Sequence, residues 1–216
     1  MLALLAHWSS QKLDALFASR VALGYSVRMT MSRCLMMGAV LAVGCAQAQD
    51  KGKAPAGPGM TLTTSAFSDG GEIAGKYTQS VADPVSPKLE WTHVPANTVS
   101  FVLIMHDPDV ARNKSTMDML HWLIFNIPGT ARSLPEGIAA GAAGPEGTVQ
   151  AKNGADVNGY RGPGAPAVGP YHHYTFELFA LDMKLDLGAD ASRADVLKAM
   201  DGHILGKAVL EGRFHR

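Results

Sequence analysis

YTFELFAL, residues Tyr174 to Leu181, is the stretch on which the reading of the fold turns. Side chains of an extended chain alternate between faces, so Tyr174, Phe176, Leu178 and Ala180 share one side and Thr175, Glu177, Phe179 and Leu181 the other. Apolar groups occur on both. Such a strand has to be covered on both sides, which places it in the middle of the fold. It follows His172 and His173 and the loop GYRGPGAPAVGP, Gly159 to Pro170, whose prolines limit the entropy of the connection.

Outward from this strand, apolar and β-branched runs recur between Gly, Pro and Asp turns. MTLTTSAF leads to SDGGE, TVSFVLIMH ends at DPD, HWLIFNIP ends at Pro128 and Gly129, and GKAVLEGRF lies near the carboxy end. The pattern predicts an all-β fold, a sandwich or barrel. One segment, SRADVLKAMDG, breaks the period. Ser192 with Asp195 three residues on forms a capping box, Val196, Leu197 and Met200 make an apolar stripe, and Gly202 stops the turn. A short helix packed on the edge of the sandwich is expected there.

The amino-terminal part has a different character. From Thr30 to Gln49, TMSRCLMMGAVLAVGCAQAQ runs from a basic residue, Arg33, through an apolar core to small residues. That is the layout of a secretory signal, with a core too short for a membrane span. Residues 29–48 are therefore read as signal peptide, with an A-x-A cleavage site at Ala46 and Ala48. A lipoprotein signal ending at Cys45 is the rival reading. Residues 1–28 read as a start assigned too far upstream or a disordered leader, residues 49–59 as a flexible Gly/Pro/Ala/Lys linker, and residues 60–216 as one folded domain. Periplasmic or secreted localisation, or a lipid anchor at Cys45, follows. Both cysteines, Cys34 and Cys45, fall inside the signal, so the exported domain has to be held by its core. With 19 basic and 19 acidic side chains and no basic cluster among aromatics, nucleic acid is excluded as a partner.

Polar residues gather at three strand ends. HDPDVAR carries His106, Asp107 and Asp109, with Pro108 fixing the backbone between the carboxylates. MLHWLIF places His121 at the opening of an apolar strand. The loop before YTFELFAL supplies Gly162 and Pro163 at one end and His172 and His173 at the other. Singly, each has an ordinary explanation: an acidic turn, a rim histidine, a stiff loop. Together they suit a small anion such as phosphate. Imidazolium attracts the charge, glycine lets the backbone approach, and a carboxylate orients one histidine and keeps it protonated.

Four blocks in this order, SPKLEWTHVPANTVSFVLIMHDPDV, HWLIFNIPGTARSLPEG, GYRGPGAPAVGPYHHYTFELFALD and LDLGADASRADVLKAMDGHILGKAVLEGRFHR, resemble the phosphatidylethanolamine-binding proteins in their bacterial, Raf kinase inhibitor-like branch. The resemblance runs from about Met60 to Arg216. It implies a two-sheet antiparallel β sandwich with a few short peripheral helices and a small solvent-open pocket for phosphate-like groups. Carried over position by position, the ligand-binding residues are Asp107, Pro108, Asp109, His121, Gly162, Pro163, His172 and Tyr174. The chain departs from the family pattern at His106, in place of a rim aspartate, at Ala74 and Ala111, in place of prolines, and at His173, where arginine is frequent.

The expectation is a binding protein for a phosphate-like anion or phospholipid head group, with a protein target and a homodimer as further partners to consider. No nucleophile elbow, P-loop or helical zinc motif is present, so neither catalysis, cofactor nor resident metal is expected. Two alternatives stay open. An envelope protease inhibitor would use the loop Gly141 to Gly154, which has no aromatic anchor. A hydrolase would gather a metal on His106, Asp107, Asp109, His121 and His172, or use His121 and His172 as acid and base.

Overall fold

In the computed structural model, residues 58–216 are described. The leader, the signal with its readings at Ala48 and Cys45, and the linker as far as residue 57 lie outside the described residues. Nine strands and one helix follow in chain order: β1 (Thr61–Thr63), β2 (Gly71–Glu72), β3 (Leu89–Thr92), β4 (Ser100–Asp107), β5 (Met119–Pro128), β6 (Ser133–Leu134), β7 (Val149–Gln150), β8 (His172–Leu181), α1 (Arg193–Met200) and β9 (Ile204–Phe214). Single 3-10 turns occur at Gly75–Tyr77, Arg112–Lys114 and Pro145–Gly147.

The strands form two sheets, one in the order β1-β3-β6 and one in the order β2-β9-β8-β4-β5-β7. YTFELFAL lies in β8, between β4 and β9, the interior position that its two apolar faces require. Its even residues, Tyr174, Phe176, Leu178 and Ala180, pack with Phe101, Leu103 and Met105 of β4 and with Leu89 and Trp91 of β3 in the core between the sheets. Phe179 and Leu181 face the other way and join Val102, Ile104, Leu123 and Phe125 in a second core. Each such side chain, fully buried, contributes about 1.5–3 kcal/mol, so the described domain is held by these two layers without a disulfide.

Two details differ from the sequence expectation. The sheets are antiparallel except at β2, which runs parallel to β9 over Gly71 and Glu72. No hairpin links these strands, so nothing forces the antiparallel sense. Helix α1 has the expected capping box, with the Asp195 N–H donating to Ser192 Oγ and the Ser192 N–H to the Asp195 carboxylate. It packs on the face of the large sheet rather than on its edge. Val196 and Met200 complete the second core, covering the outer side of the central strands, while Leu197 is 43% exposed.

Strand β5 is irregular in a way that matters for the site. Met105 pairs with Trp122, yet His106 pairs with Leu120, so His121 is an extra residue in the ladder. A bulge of this kind puts two successive residues on one side of the sheet. Trp122 enters the core between the sheets and Leu120 packs against the outer core. His121 therefore shares Trp122's side, where strict alternation would have placed it with Leu123.

Candidate functional site

The inter-sheet core ends where β4 finishes, β5 bulges and β8 begins, and a cavity of about 190 Å³ opens there. Asp107, His121, His172 and Tyr174 line it, together with Gln79, Val110, Met119, Arg161, Gly164, Ala165 and Pro166. Asp107 stands on the inner face of β4, in phase with Leu103 and Met105, and is 2% exposed. One carboxylate oxygen accepts from the Asp109 N–H at 3.0 Å, in an Asx turn through Pro108. The other faces His172 Nδ1 at 2.8 Å. A carboxylate can only accept, so Nδ1 carries the hydrogen, and Nε2 is the nitrogen of His172 left for a ligand.

His121 is fixed in the same manner by a different acceptor. Its Nδ1 donates to the Arg161 carbonyl at 2.8 Å, and the Arg161 N–H returns a bond to the His121 carbonyl at 2.9 Å. The ring stands edge-on to Tyr174, with centroids 5.1 Å apart. Burial holds the His121 pKa below its ordinary value, against the pull of the Arg161 carbonyl and the Asp107 charge. At neutral pH this ring is thus uncharged and offers Nε2 as an acceptor. The expectation that histidine cations attract the anion, one of them kept protonated by a carboxylate, does not extend to His121: an interior position without a directly paired carboxylate favours the neutral form. The Tyr174 hydroxyl accepts from the Gly164 N–H at 3.2 Å, and burial, then the Asp107 charge, push its pKa up, so it stays protonated.

Arg161 is the cation of the cavity. Among the described residues its buried Nε has no hydrogen-bond partner, and no carboxylate is paired with its guanidinium. Beside it, Gln79 Nε2 donates to the Gly162 carbonyl at 2.7 Å, and the Gln79 N–H to the Pro163 carbonyl at 2.8 Å. These two bonds tie the segment after the first 3-10 turn to the proline-rich loop.

Four of the eight residues named from sequence, Asp107, His121, His172 and Tyr174, line the cavity; the other four stand behind it. Pro108 carries the turn below Asp107. Asp109 accepts from both the N–H and Nδ1 of His173, at 2.6 and 2.9 Å. Burial would raise the Asp109 pKa, but these contacts hold it below the ordinary range. Gly162 and Pro163 anchor Gln79, and the part of the loop at the cavity is Gly164 to Pro166. Gly162 is a packing glycine: a Cβ there would lie 2.7 Å from the Tyr77 carbonyl oxygen and 2.9 Å from Pro84 Cβ.

His106 is not at the rim. It follows the phase of Val102 and Ile104 onto the outer face of the sheet, where Nδ1 meets Asp118 at 2.6 Å and Nε2 meets Glu177 at 3.6 Å. Replacing a rim charge is therefore not its effect here. With His106 on one face and Asp109 committed to His173, the five residues considered as a metal set do not converge. Among the described residues, no group of three or more His, Cys, Asp or Glu side chains is arranged to hold a metal ion. Sequence reasoning missed Gln79 and Arg161. The arginine was in view within GYRGPG, but nothing in the loop pattern marks it as a cavity residue.

The geometry can be set beside known proteins. The family model described as phosphatidylethanolamine-binding protein matches residues 63–215. The chain belongs to the phosphatidylethanolamine-binding protein family. Among its relatives, a UPF0098 protein of Methanothermobacter thermautotrophicus is 43% identical over 157 residues, covering 73% of this chain and 99% of that protein. The UPF0098 protein YbhB of Escherichia coli is 33% identical over 161 residues, covering 72% and 99%. The crystal structure of Escherichia coli YbcL, described as a member of the mammalian family, matches with a TM-score of 0.65 at 28% identity over 74% of this chain and 99% of that one. A phosphatidylethanolamine-binding protein homologue from Chlamydia trachomatis matches with a TM-score of 0.62 at 33% identity, over 73% and 98%. The expected family and its β-sandwich fold are thus both found, and the membership makes this phosphatidylethanolamine-binding protein relative one of a family of binding proteins.

Proposed function

We propose that the chain is a binding protein for a small phosphate-like anion, free or as a phospholipid head group, and that it does no chemistry on its ligand. The observation that carries this reading is Arg161: a guanidinium with a buried, unpartnered Nε on the wall of a cavity shared with His172. Leaving a buried cationic donor unmet is costly, and an oxyanion meets it with short, charge-assisted bonds. Nε2 of His172, backed by the Asp107 carboxylate, adds a donor when the ring is protonated. Neutral His121 accepts from a protonated phosphate oxygen, and the Tyr174 hydroxyl adds a further donor. This set of fixed donors with one acceptor selects a partly protonated oxyanion. The signal-like order of residues 30–49 adds that the protein works after export.

The test is a thermal melt of the purified protein against inorganic phosphate. Millimolar phosphate should raise the melting temperature, because a ligand that binds only the folded state stabilises it by mass action. Arg161→Gln, which leaves the backbone bonds to His121 in place, should remove that rise. A melting curve unmoved by phosphate, or a rise of equal size in Arg161→Gln, refutes the reading.

A further inference from the structure

A second cavity, about 290 Å³, shares two residues with the first. Gln79 and Arg161 line both, so their side chains form the partition between an inner chamber, holding His121 and His172, and an outer one. The outer chamber is walled by Ala82, Pro84, Asn153, Ala155, Val157 and Tyr160. Apart from the Arg161 guanidinium and Gln79 Oε1, both at the partition, its polar groups are already bonded within the protein. Asn153 Nδ2 donates to the Gly159 carbonyl and its Oδ1 accepts from the Ala155 N–H. The Tyr160 hydroxyl donates to the Tyr77 carbonyl at 2.8 Å, and Gln79 Nε2 is held by Gly162. Away from the partition, what remains towards a ligand is the methyl and methylene surface of Ala82, Pro84, Ala155 and Val157, with Val157 50% exposed. None of the lining residues is acidic. Asp83 and Asp156 each follow a lining residue in sequence, but they are exposed and do not line the chamber.

From this pairing we infer that the protein takes a phosphoester whose substituent is a short uncharged apolar chain, with the phosphoryl group in the inner chamber and the chain across the Gln79–Arg161 partition in the outer one. The inference rests on the anion reading above and narrows it. An ammonium-bearing substituent is disfavoured, because the outer chamber offers it the Arg161 cation and no carboxylate. Inorganic phosphate fills only half of the site. Gly164 contributes to the arrangement: a Cβ there would lie 2.5 Å from Gln79 Nε2, so any side chain at this position would push the Gln79 amide from its place.

Isothermal titration of the full chain with inorganic phosphate, phosphorylethanolamine and butyl phosphate tests this. A buried methylene is worth about fourfold in affinity, so butyl phosphate should bind about tenfold more tightly than phosphate with less than two methylenes' worth of burial. Phosphorylethanolamine should bind no better than phosphate. Ala155→Phe, at an exposed position whose backbone bond is unaffected, fills the outer chamber. It should cancel the butyl advantage while leaving phosphate affinity unchanged. Phosphate binding without a butyl advantage overturns this inference and leaves the anion reading standing, whereas binding of neither ligand overturns both. A butyl advantage that survives in Ala155→Phe, or tighter binding of phosphorylethanolamine than of butyl phosphate, also overturns it. Cosedimentation with phosphatidylcholine vesicles carrying phosphatidic acid then identifies the source: a bilayer lipid if the protein pellets, a soluble ester if it binds butyl phosphate but stays in solution.

Discussion

Replacing Glu177 by Gln removes one charge from the outer face of β8 and keeps its shape. Glu177 stands between His106 Nε2, 3.6 Å away, and Lys207 Nζ, which donates to its other oxygen, and its side chain is 18% exposed. Contact with His106, and then Lys207, outweighs burial and lowers its pKa from the ordinary 4.5 to about 2. At about 1.36 kcal/mol per pKa unit, the ionised form is worth about 3 kcal/mol to the folded state. The sign follows from the depressed value. The contribution is complete above pH 4.5, declines as the pH falls towards 2, and is gone below that. Urea unfolding of wild type and Glu177→Gln at pH 5, 4, 3 and 2 should show a gap of up to about 3 kcal/mol at pH 5 that closes on further acidification. A gap of constant size across this range, or none at pH 5, refutes the electrostatic account.

Three other outcomes follow from the same geometry. Gly162→Ala should cost about 1–3 kcal/mol in a thermal melt, since its Cβ meets backbone at Tyr77 and Thr78 and the ring of Pro84, and it should also weaken the phosphate-induced shift by displacing Gln79 and Arg161. Gln150→Leu should cost at least about 2 kcal/mol in urea unfolding, because it strands the Trp122 indole N–H and the carbonyls of Ala139 and Gly141, all of which Gln150 now serves. His121 binds its proton less readily folded than unfolded, so stability should fall as the pH drops below about 6.5; in His121→Gln that part of the slope should vanish, as read from unfolding at pH 7.5 and 5.5.

Strands β4, β5, β8 and β9 were legible because each alternates or runs apolar over at least eight residues between strong turn residues. The two-residue strands β2, β6 and β7 were not, since so short a pairing leaves no period to read. Asp107 and His172 could be placed from alternation alone, in phase with Leu103 and Tyr174. The same rule, applied to His106, puts it on the opposite face, where it is found; the rim position came from family analogy. His121 is the reverse case. Alternation counts it with Leu123, and only the inserted residue in the ladder turns it inward. Gly162 was singled out as a glycine whose backbone could come close to a bound anion; what it meets instead is the backbone of Tyr77 and Thr78. Arg161 left no local signal because its part depends on a cavity assembled from four separate segments.

The inserted residue at His121 also affects how this architecture can change over time. Deleting Leu120, a single codon, would restore alternation there and carry the imidazole to the outer face of the sheet in Leu120's place, leaving Trp122 and every strand residue after it in register. The cavity can thus lose its His121 imidazole by one indel, at the expense of one partly buried leucine of the outer core, and the reverse event would bring an imidazole into it. Among homologues, a one-residue gap at this point in an alignment therefore marks the loss of the inward-facing imidazole.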